Sequence, residues 1–259
     1  MSSERRVAVV TGAGRGIGRA IALQLARDGF AVAVSDINED SARRVSEEVT
    51  QVGGRALAIA TDVTDRVAVA TMVETATVAL GPLAVMVNNA GIIRIGPCLG
   101  VTKDDLEAVF AVNVHGVLFG MQAAAEAMIA AGQGGKIINA CSIAGHEAPP
   151  LSSIYCASKF AVRALTVSAA REWGVHGITV NAFCPGLVDT EMNEYIERTT
   201  AGITGEPAAQ RRSGILGRVA LRRAQTVDDV AGMVSFMASP ASDYMTGQSP
   251  IMDGGLVFR

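Results

Sequence analysis

The sequence predicts an α/β fold: a single domain in which helices cover both faces of a doubly wound parallel sheet of about seven strands. Short apolar runs alternate with longer stretches of helical period along the whole chain. Those runs are rich in Val, Ile, Leu and Ala without strict polar alternation, as strands covered on both faces should be. A glycine-rich turn separates the first apolar run from the first helical stretch. The chain has 259 residues, 49% of them hydrophobic and 18% charged, which is enough for one large core.

The opening Met-Ser-Ser-Glu-Arg-Arg runs straight into the first strand, Arg6–Val10, and reads as a strand start, not as a secretory leader. A helix follows at Ile17–Asp28, then a strand at Ala31–Ser35 and a helix at Glu39–Val52. The next pairs are Arg55–Ala60 with Val67–Leu80, and Leu83–Val87 with the long helix Lys103–Ala131. Strand Lys136–Ala140 leads to helix Ser153–Trp173, strand Thr179–Phe183 to helix Val227–Ala238, and Pro250–Met252 closes the sheet. One stretch, Leu187–Arg223, looks irregular: Gly202, Gly205, Pro207, Gly214 and Gly217 are scattered among polar residues. A long segment of that kind within a domain is usually functional, and residues 187–223 are expected to form a lid over a substrate.

Several function classes are disfavoured. No run reaches the roughly 18 uninterrupted apolar residues of a membrane span. A net charge of −3 with no basic run argues against nucleic acid as a partner. Cys98, Cys141, Cys156 and Cys184 form no C-x-x-C pair, so they read as reduced, mostly buried thiols of a cytoplasmic protein. No His/Cys/Asp cluster has zinc spacing, and no metal is expected.

The first turn, Thr11-Gly12-Ala13-Gly14-Arg15-Gly16-Ile17-Gly18, has the spacing Thr-Gly-x-x-x-Gly-x-Gly, not the literal G-x-G-x-x-G. Glycines there let backbone amides at a helix N-terminus approach a pyrophosphate. Gly12, Arg15, Gly16, Ile17 and Gly18 are therefore cofactor candidates. Asp36, at the end of the second strand, would accept hydrogen bonds from ribose hydroxyls and repel a 2′-phosphate. Arg15 and Arg19 argue for NADP, but the repulsion at Asp36 favours NAD. Asp62 and Val63 are placed at the adenine, and Asn89, Ala90 and Gly91 at the adenosine ribose and the middle of the cofactor.

Taken with Asn88-Asn89-Ala90-Gly91, Asn113, Ser142, Tyr155-x-x-x-Lys159 and Pro185-Gly186, the turn makes the whole chain resemble the short-chain dehydrogenase/reductase superfamily. Within it, the segments Gly134–Ser142, Ala144–His146, Ser158–Arg163, Ser239–Ser249 and Asp253–Phe258 are most similar to the 2,3-butanediol dehydrogenases, or acetoin and diacetyl reductases. The resemblance implies a Rossmann fold and NAD-linked interconversion of a small secondary alcohol and its ketone. It also implies a homotetramer. Lys103–Ala131 and Ser153–Trp173 carry apolar or small residues on more than one face, among them Val117, Phe119, Met121, Ala164, Val167 and Ala170, which independently suggests self-association.

Tyr155 and Lys159 are four apart on a helix and share a face. A lysine ammonium and a positive nicotinamide would both favour phenolate, so the tyrosine pKa is expected to fall from about 10. Tyr155 would then serve as general acid and base, Lys159 would hold the nicotinamide ribose, and Ser142 would orient the substrate oxygen; the resemblance further implies that Asn113 holds a water linking Lys159 to solvent. Pro185, Gly186, Val188 and Thr190 close over the nicotinamide. Ile143 and Pro149 stand where some relatives carry polar residues that hold the substrate hydroxyl, so they are expected to bear on substrate and handedness. A polyol dehydrogenase, a 3-oxoacyl reductase and a non-catalytic NAD-binding scaffold are the alternatives. A Ser-His-Asp hydrolase is set aside because no G-x-S-x-G surrounds Ser142.

Overall fold

The structure is a computed structural model describing residues 6–258. The first five residues, on which the leader reading rests, lie outside the described residues, as do the outer bounds expected for the domain.

Seven strands form one parallel sheet: β1 Val7–Thr11, β2 Ala31–Asp36, β3 Arg55–Ala60, β4 Leu83–Asn88, β5 Gly135–Ala140, β6 Ile178–Pro185 and β7 Ile251–Met252. Their order is β3-β2-β1-β4-β5-β6-β7. Successive strand residues point to opposite faces, and each face has its own core. Ala8, Val10, Val32, Val34, Val85 and Val87 pack with Ile21 and Leu25 of α1 (Gly16–Arg27), Val45 of α2 (Glu39–Gln51) and Val230 and Met237 of α9 (Val227–Ala238). Val7, Val9, Met86, Ile137 and Val180 pack on the other face. Their partners are Met72 of α3 (Arg66–Leu80), Met121 of α5 (Gly116–Ala131) and Val162 of α6 (Ser153–Trp173). Burial on both faces explains why the strands read as unbroken apolar runs.

Polar residues start several helices. Asn38 caps α2, Asp65 caps α3, and Thr226 with Asp229 forms a reciprocal capping box on α9. The stretch Lys103–Ala131 is helical throughout, but its middle is a π-helical turn, Ala111–His115, between α4 (Lys103–Phe110) and α5. By length and mean hydropathy it is the one helix among the described residues able to cross a membrane. Here Val109, Val117, Met121, Ala125 and Met128 are buried within the fold.

Two expectations need correction. Leu187–Arg223 is mostly helical: α7 spans Glu191–Thr204 and α8 spans Ala208–Arg218. Gly202, Gly214 and Gly217 are surface positions where a side chain would meet nothing, so they do not break the helices. Only Gly205, at φ 74°, ends one. Arg212 of α8 pairs with Asp189 and, at 2.9 Å, with Glu197 of α7, stapling the two helices into a hairpin. The neck of the hairpin is closed by Gln225. Its N–H donates to the Leu187 carbonyl at 2.8 Å, and its own carbonyl accepts from Asp189 N–H at 3.1 Å.

The other correction concerns the outward faces. Val117, Met121 and Ala170 are buried in the chain's own core, whereas Ala164 and Val167 stay exposed beside Phe160 on α6.

Candidate active site

Strand order reverses between β1 and β4, which opens a crevice at the carboxyl ends of the strands, the usual ligand site of open α/β sheets. The glycine turn forms its floor. Gly12 has φ +60°, and a Cβ there would lie 2.8 Å from Ala90 Cα. At Gly18 a Cβ would lie 2.2 Å from the Gly12 carbonyl oxygen, so only glycine lets α1 seat against the turn. Gly16 faces outward, its nearest neighbour across the crevice being Thr190 at 3.9 Å from where a Cβ would stand. This open backbone at the start of α1 fits a pyrophosphate. Half-buried Ile17 packs beneath the turn. Asn89 clamps the turn: its amide donates to the Thr11 and Gly12 carbonyls, each at 3.0 Å. Its side chain is therefore committed to holding the loop's shape, while Ala90 and Gly91 line the chain's path into the crevice.

Asp36 sits at the end of β2 beside the turn. One carboxylate oxygen accepts from Gly14 N–H at 2.9 Å and the other from Asn38 N–H at 3.0 Å. Gly14 is thus a positioning residue that the glycine pattern alone does not single out. A Cβ on it would lie 2.8 Å from the same carboxylate oxygen. Both neighbouring arginines are paired: Arg15 with Glu191 of α7, and Arg19 with Glu48 of α2. Past β3, Asp62 accepts from Thr64 N–H at 2.9 Å, and Val63 packs against Gly116 at the start of α5. Thr61 N–H donates to the Asp36 carbonyl at 2.9 Å, which keeps this corner beside Asp36.

Ser142, Tyr155, Lys159 and Asn113 converge between β5, α6 and the π-helical turn. Ser142 follows β5, and its Oγ accepts from Ala144 N–H at 3.1 Å. The Tyr155 phenol lies near enough to the Ser142 hydroxyl to be influenced by it. Lys159 is buried, its Nζ donating to the Ala140 carbonyl at 2.8 Å and lying 5.5 Å from the Tyr155 ring centre. Burial pushes the Tyr155 phenol well above its ordinary range, with the Ser142 hydroxyl acting the other way. In the chain without its cofactor, desolvation of a phenolate is thus the largest influence on Tyr155. Burial likewise pulls the Lys159 ammonium down.

Asn113 is fully buried. Its Oδ1 accepts from Ile92 N–H at 2.8 Å, and its Nδ2 donates to the Ile92 carbonyl at 2.9 Å and to Ser158 Oγ at 3.0 Å. The amide is engaged by protein partners, so the side chain acts as a clamp. Ser158 Oγ in turn donates to the Tyr155 carbonyl at 2.7 Å. Sequence reasoning assigned Ser158 no role; its place directly before Lys159 was the available signal.

Pro185 ends β6, and Gly186 N–H donates to Gln225 Oε1 at 3.2 Å. A Cβ on Gly186 would lie 2.6 Å from Asp253 Cβ. Val188 is buried against the hairpin neck, and Thr190 caps α7. Ile143 is half-buried in the turn after Ser142. Pro149 is exposed, and its carbonyl accepts from Ser152 Oγ at 3.0 Å. Between Pro149 and Tyr155, Leu151 holds a left-handed φ of 68°, its carbonyl bonded by Gly96 N–H at 2.8 Å. No sequence pattern announces that strain.

Residues 6–201 match the family model described as short chain dehydrogenase. The chain belongs to this family. Among curated relatives of this short-chain dehydrogenase is an L-2,3-butanediol dehydrogenase of Corynebacterium glutamicum. It is 43% identical over 98% of this chain and 99% of the relative. A diacetyl reductase [(S)-acetoin forming] of Staphylococcus aureus (strain Mu50 / ATCC 700699) is 45% identical over 99% and 100%. A solved short-chain type dehydrogenase/reductase from Mycobacterium marinum superposes with a TM-score of 0.89 at 36% identity, covering 97% of this chain and 95% of that one. A gluconate 5-dehydrogenase from Burkholderia cenocepacia J2315, solved with NADP and tartrate, does so with 0.88 at 36%, covering 97% and 94%. The protein is accordingly an oxidoreductase acting on CH–OH groups, in a family that uses a nicotinamide cofactor.

Proposed function

We propose that this dehydrogenase is a cytoplasmic, NAD-dependent enzyme that interconverts acetoin or diacetyl with the corresponding hydroxyl compounds, working as a homotetramer. The observation that carries the reading is the similarity to enzymes named for that chemistry over nearly every residue of both chains, together with the Ser142–Tyr155–Lys159 grouping. Preference for NAD rests on charge. Asp36 presents a carboxylate beside the glycine turn, while Arg15 and Arg19, the cations that could greet a 2′-phosphate, already face Glu191 and Glu48.

NAD fits the residues present. Gly12, Gly16, Ile17 and Gly18 would cradle its pyrophosphate, and Arg15 would flank it. Asp36, Asp62 and Val63 would hold the adenosine end. Ala90, Gly91, Pro185, Gly186, Val188 and Thr190 would line the nicotinamide half, with Lys159 on its ribose. When bound, the cofactor supplies or accepts the hydride. The chain's own work is on the substrate oxygen. Ser142 Oγ orients it and stabilises the charge that develops there, and Tyr155 gives it a proton in reduction or takes one in oxidation. Asn113 and Ser158 hold the backbone on either side, so that Tyr155 and Lys159 keep their separation. Ile143 and the loop bearing Pro149 offer apolar surface beside the reacting carbon, which suits a small ketone. The α7–α8 hairpin would serve as the lid expected at residues 187–223, Thr190 at its start standing across from Gly16.

Following NADH absorbance with diacetyl, acetoin, sorbitol and gluconate-type substrates tests this reading, and the best case is repeated with NADPH. The expected result is fastest turnover of diacetyl or acetoin with NADH. Faster turnover of a polyol, the reading that the gluconate dehydrogenase neighbour favours, would replace the substrate assignment. Faster turnover with NADPH would replace the cofactor assignment.

The tetramer reading rests on α6, whose Phe160, Ala164 and Val167 form an exposed stripe of apolar and small residues beside Met245 and Pro250. Light scattering should report four copies, and a monomer would overturn this.

A further inference from the structure

Two thiols that the proton chemistry does not use lie directly behind Ser142. β5 and β6 are neighbours, with Ala140 opposite Phe183. One residue further on, Cys141 N–H donates to the Phe183 carbonyl at 2.9 Å, which brings Cys141 beside Cys184. Both side chains face the same core layer; the Cys141 thiol donates to the Lys159 carbonyl at 3.4 Å and the Cys184 thiol to the Ser249 carbonyl at 3.6 Å. Neighbouring strands run about 4.8 Å apart, within the roughly 4.4–6.8 Å between Cα atoms that a disulfide spans. The pair comes from positions distant in sequence, so spacing alone could not reveal it.

The two thiols are not equivalent. The neighbouring Cys184 thiol draws Cys141 down toward thiolate, helped by the Lys159 and Arg163 charges, while Cys184 is pushed up by the same neighbour and by burial. One is suited to attack and the other to resolve. The Cys141 sulfur lies directly under a single turn, Ile143–Gly145: a Cβ on Gly145 would stand 2.5 Å from it. Displacing one turn thus brings a small solute to the sulfur.

We propose that Cys141 and Cys184 form an oxidation-sensitive dithiol, which hydrogen peroxide converts to a disulfide that switches off the site at Ser142. The Cys141 sulfur attacks peroxide and the O–O bond breaks. A sulfenic acid forms, and the other oxygen leaves as water with the proton Cys141 gave up. The Cys184 sulfur then attacks the sulfenic sulfur. The S–S bond forms, the S–O bond breaks, and the departing oxygen leaves as a second water with the Cys184 proton. Two electrons pass from the thiols to peroxide. Closing the sulfurs from contact to bonding distance drags the end of β5, and Ser142 is the next residue. A misplacement of about 1 Å in a reacting group costs on the order of a hundredfold in rate.

The test treats the full-length protein with hydrogen peroxide, follows reductase activity, and maps disulfides by mass spectrometry of proteolysed samples. The expected result is a peptide linking residues 141 and 184 and about a hundredfold loss of activity, both reversed by dithiothreitol. Cys184→Ala and Cys141→Ser should each keep basal activity and resist inactivation, whereas Cys98→Ser, at an exposed thiol, should remain sensitive. The wild-type mass measurement decides the linkage even if a core variant fails to fold. Absence of the linked peptide in inactivated protein, or equal inactivation of folded Cys184→Ala, would overturn the proposal. So would a linked enzyme that stays fully active. Loss of activity rests on the role proposed for Ser142, but the linkage does not, so the two readings fail separately.

Discussion

Tyr155→Phe should lower turnover by about 10²–10⁴-fold in either direction, the usual worth of a positioned general acid or base, while NADH still binds. Phenylalanine keeps the ring that lies 5.5 Å from Lys159 Nζ and removes only the hydroxyl on the Ser142 side. Binding is read by NADH fluorescence and turnover by absorbance. An active variant would remove Tyr155 from the chemistry, and loss of both signals would mean a damaged cofactor site. The pH dependence of the parent enzyme carries the same assignment. Because burial raises the Tyr155 phenol above its ordinary range of about 10, the protonated form that ketone reduction needs persists through neutrality and beyond. Reduction should therefore be flat around neutral pH, while alcohol oxidation, which needs the proton acceptor, should climb as the solution turns alkaline. A reductase activity that falls through neutrality would point to another acid.

Asn113→Ala should cost about 3 kcal/mol or more of stability, since it leaves the Ile92 N–H and carbonyl and the Ser158 hydroxyl short of partners in a buried place. For a chain of this size that corresponds to a melting point lower by roughly 6–12 °C. Turnover should fall as well, because the same amide ties the Gly91–Ile92 backbone to the helix carrying Tyr155 and Lys159. A Cβ on Gly91 would stand 3.4 Å from Asn113 Oδ1 and 3.8 Å from Lys159 Nζ, so the three residues share one small space. Thermal melts and a full kinetic comparison check this. An unchanged melting point would show that water replaces the amide at little cost.

These residues also mark what could be read from the chain before its fold was known. The seven strands and seven of the helices (α1 to α6 and α9, with α4 and α5 read as one) were legible because burial on both sheet faces leaves long apolar runs, and Ser153–Trp173 and Val227–Ala238 agree residue for residue. Tyr155 and Lys159 were legible because a helix makes four-residue spacing spatial. The hairpin at α7 and α8 was missed because its glycines looked like breakers, although most are solvent-facing helical positions. The clamp made by the Asn113 side chain was hidden for a different reason. A side chain that bonds a backbone 21 residues away leaves no periodic trace. The desolvation of Tyr155 was not legible either, because charge can be counted in a sequence, whereas dryness depends on what packs around it.

The closed neck of the hairpin has a consequence for descent and engineering. Leu187 and Asp189 are zipped to Gln225, and Arg212 staples the two helices internally, so the segment between them is a unit with its own internal bracing. Its further ties include Glu191 to Arg15 and Leu221 N–H to the Gly254 carbonyl at 3.0 Å. A hairpin from a polyol-oxidising relative, spliced between Val188 and Gln225 with those ties kept, should leave Asp36 untouched and shift substrate preference. Diversification of these catalysts then needs no redesign of the core, only the exchange of one braced unit.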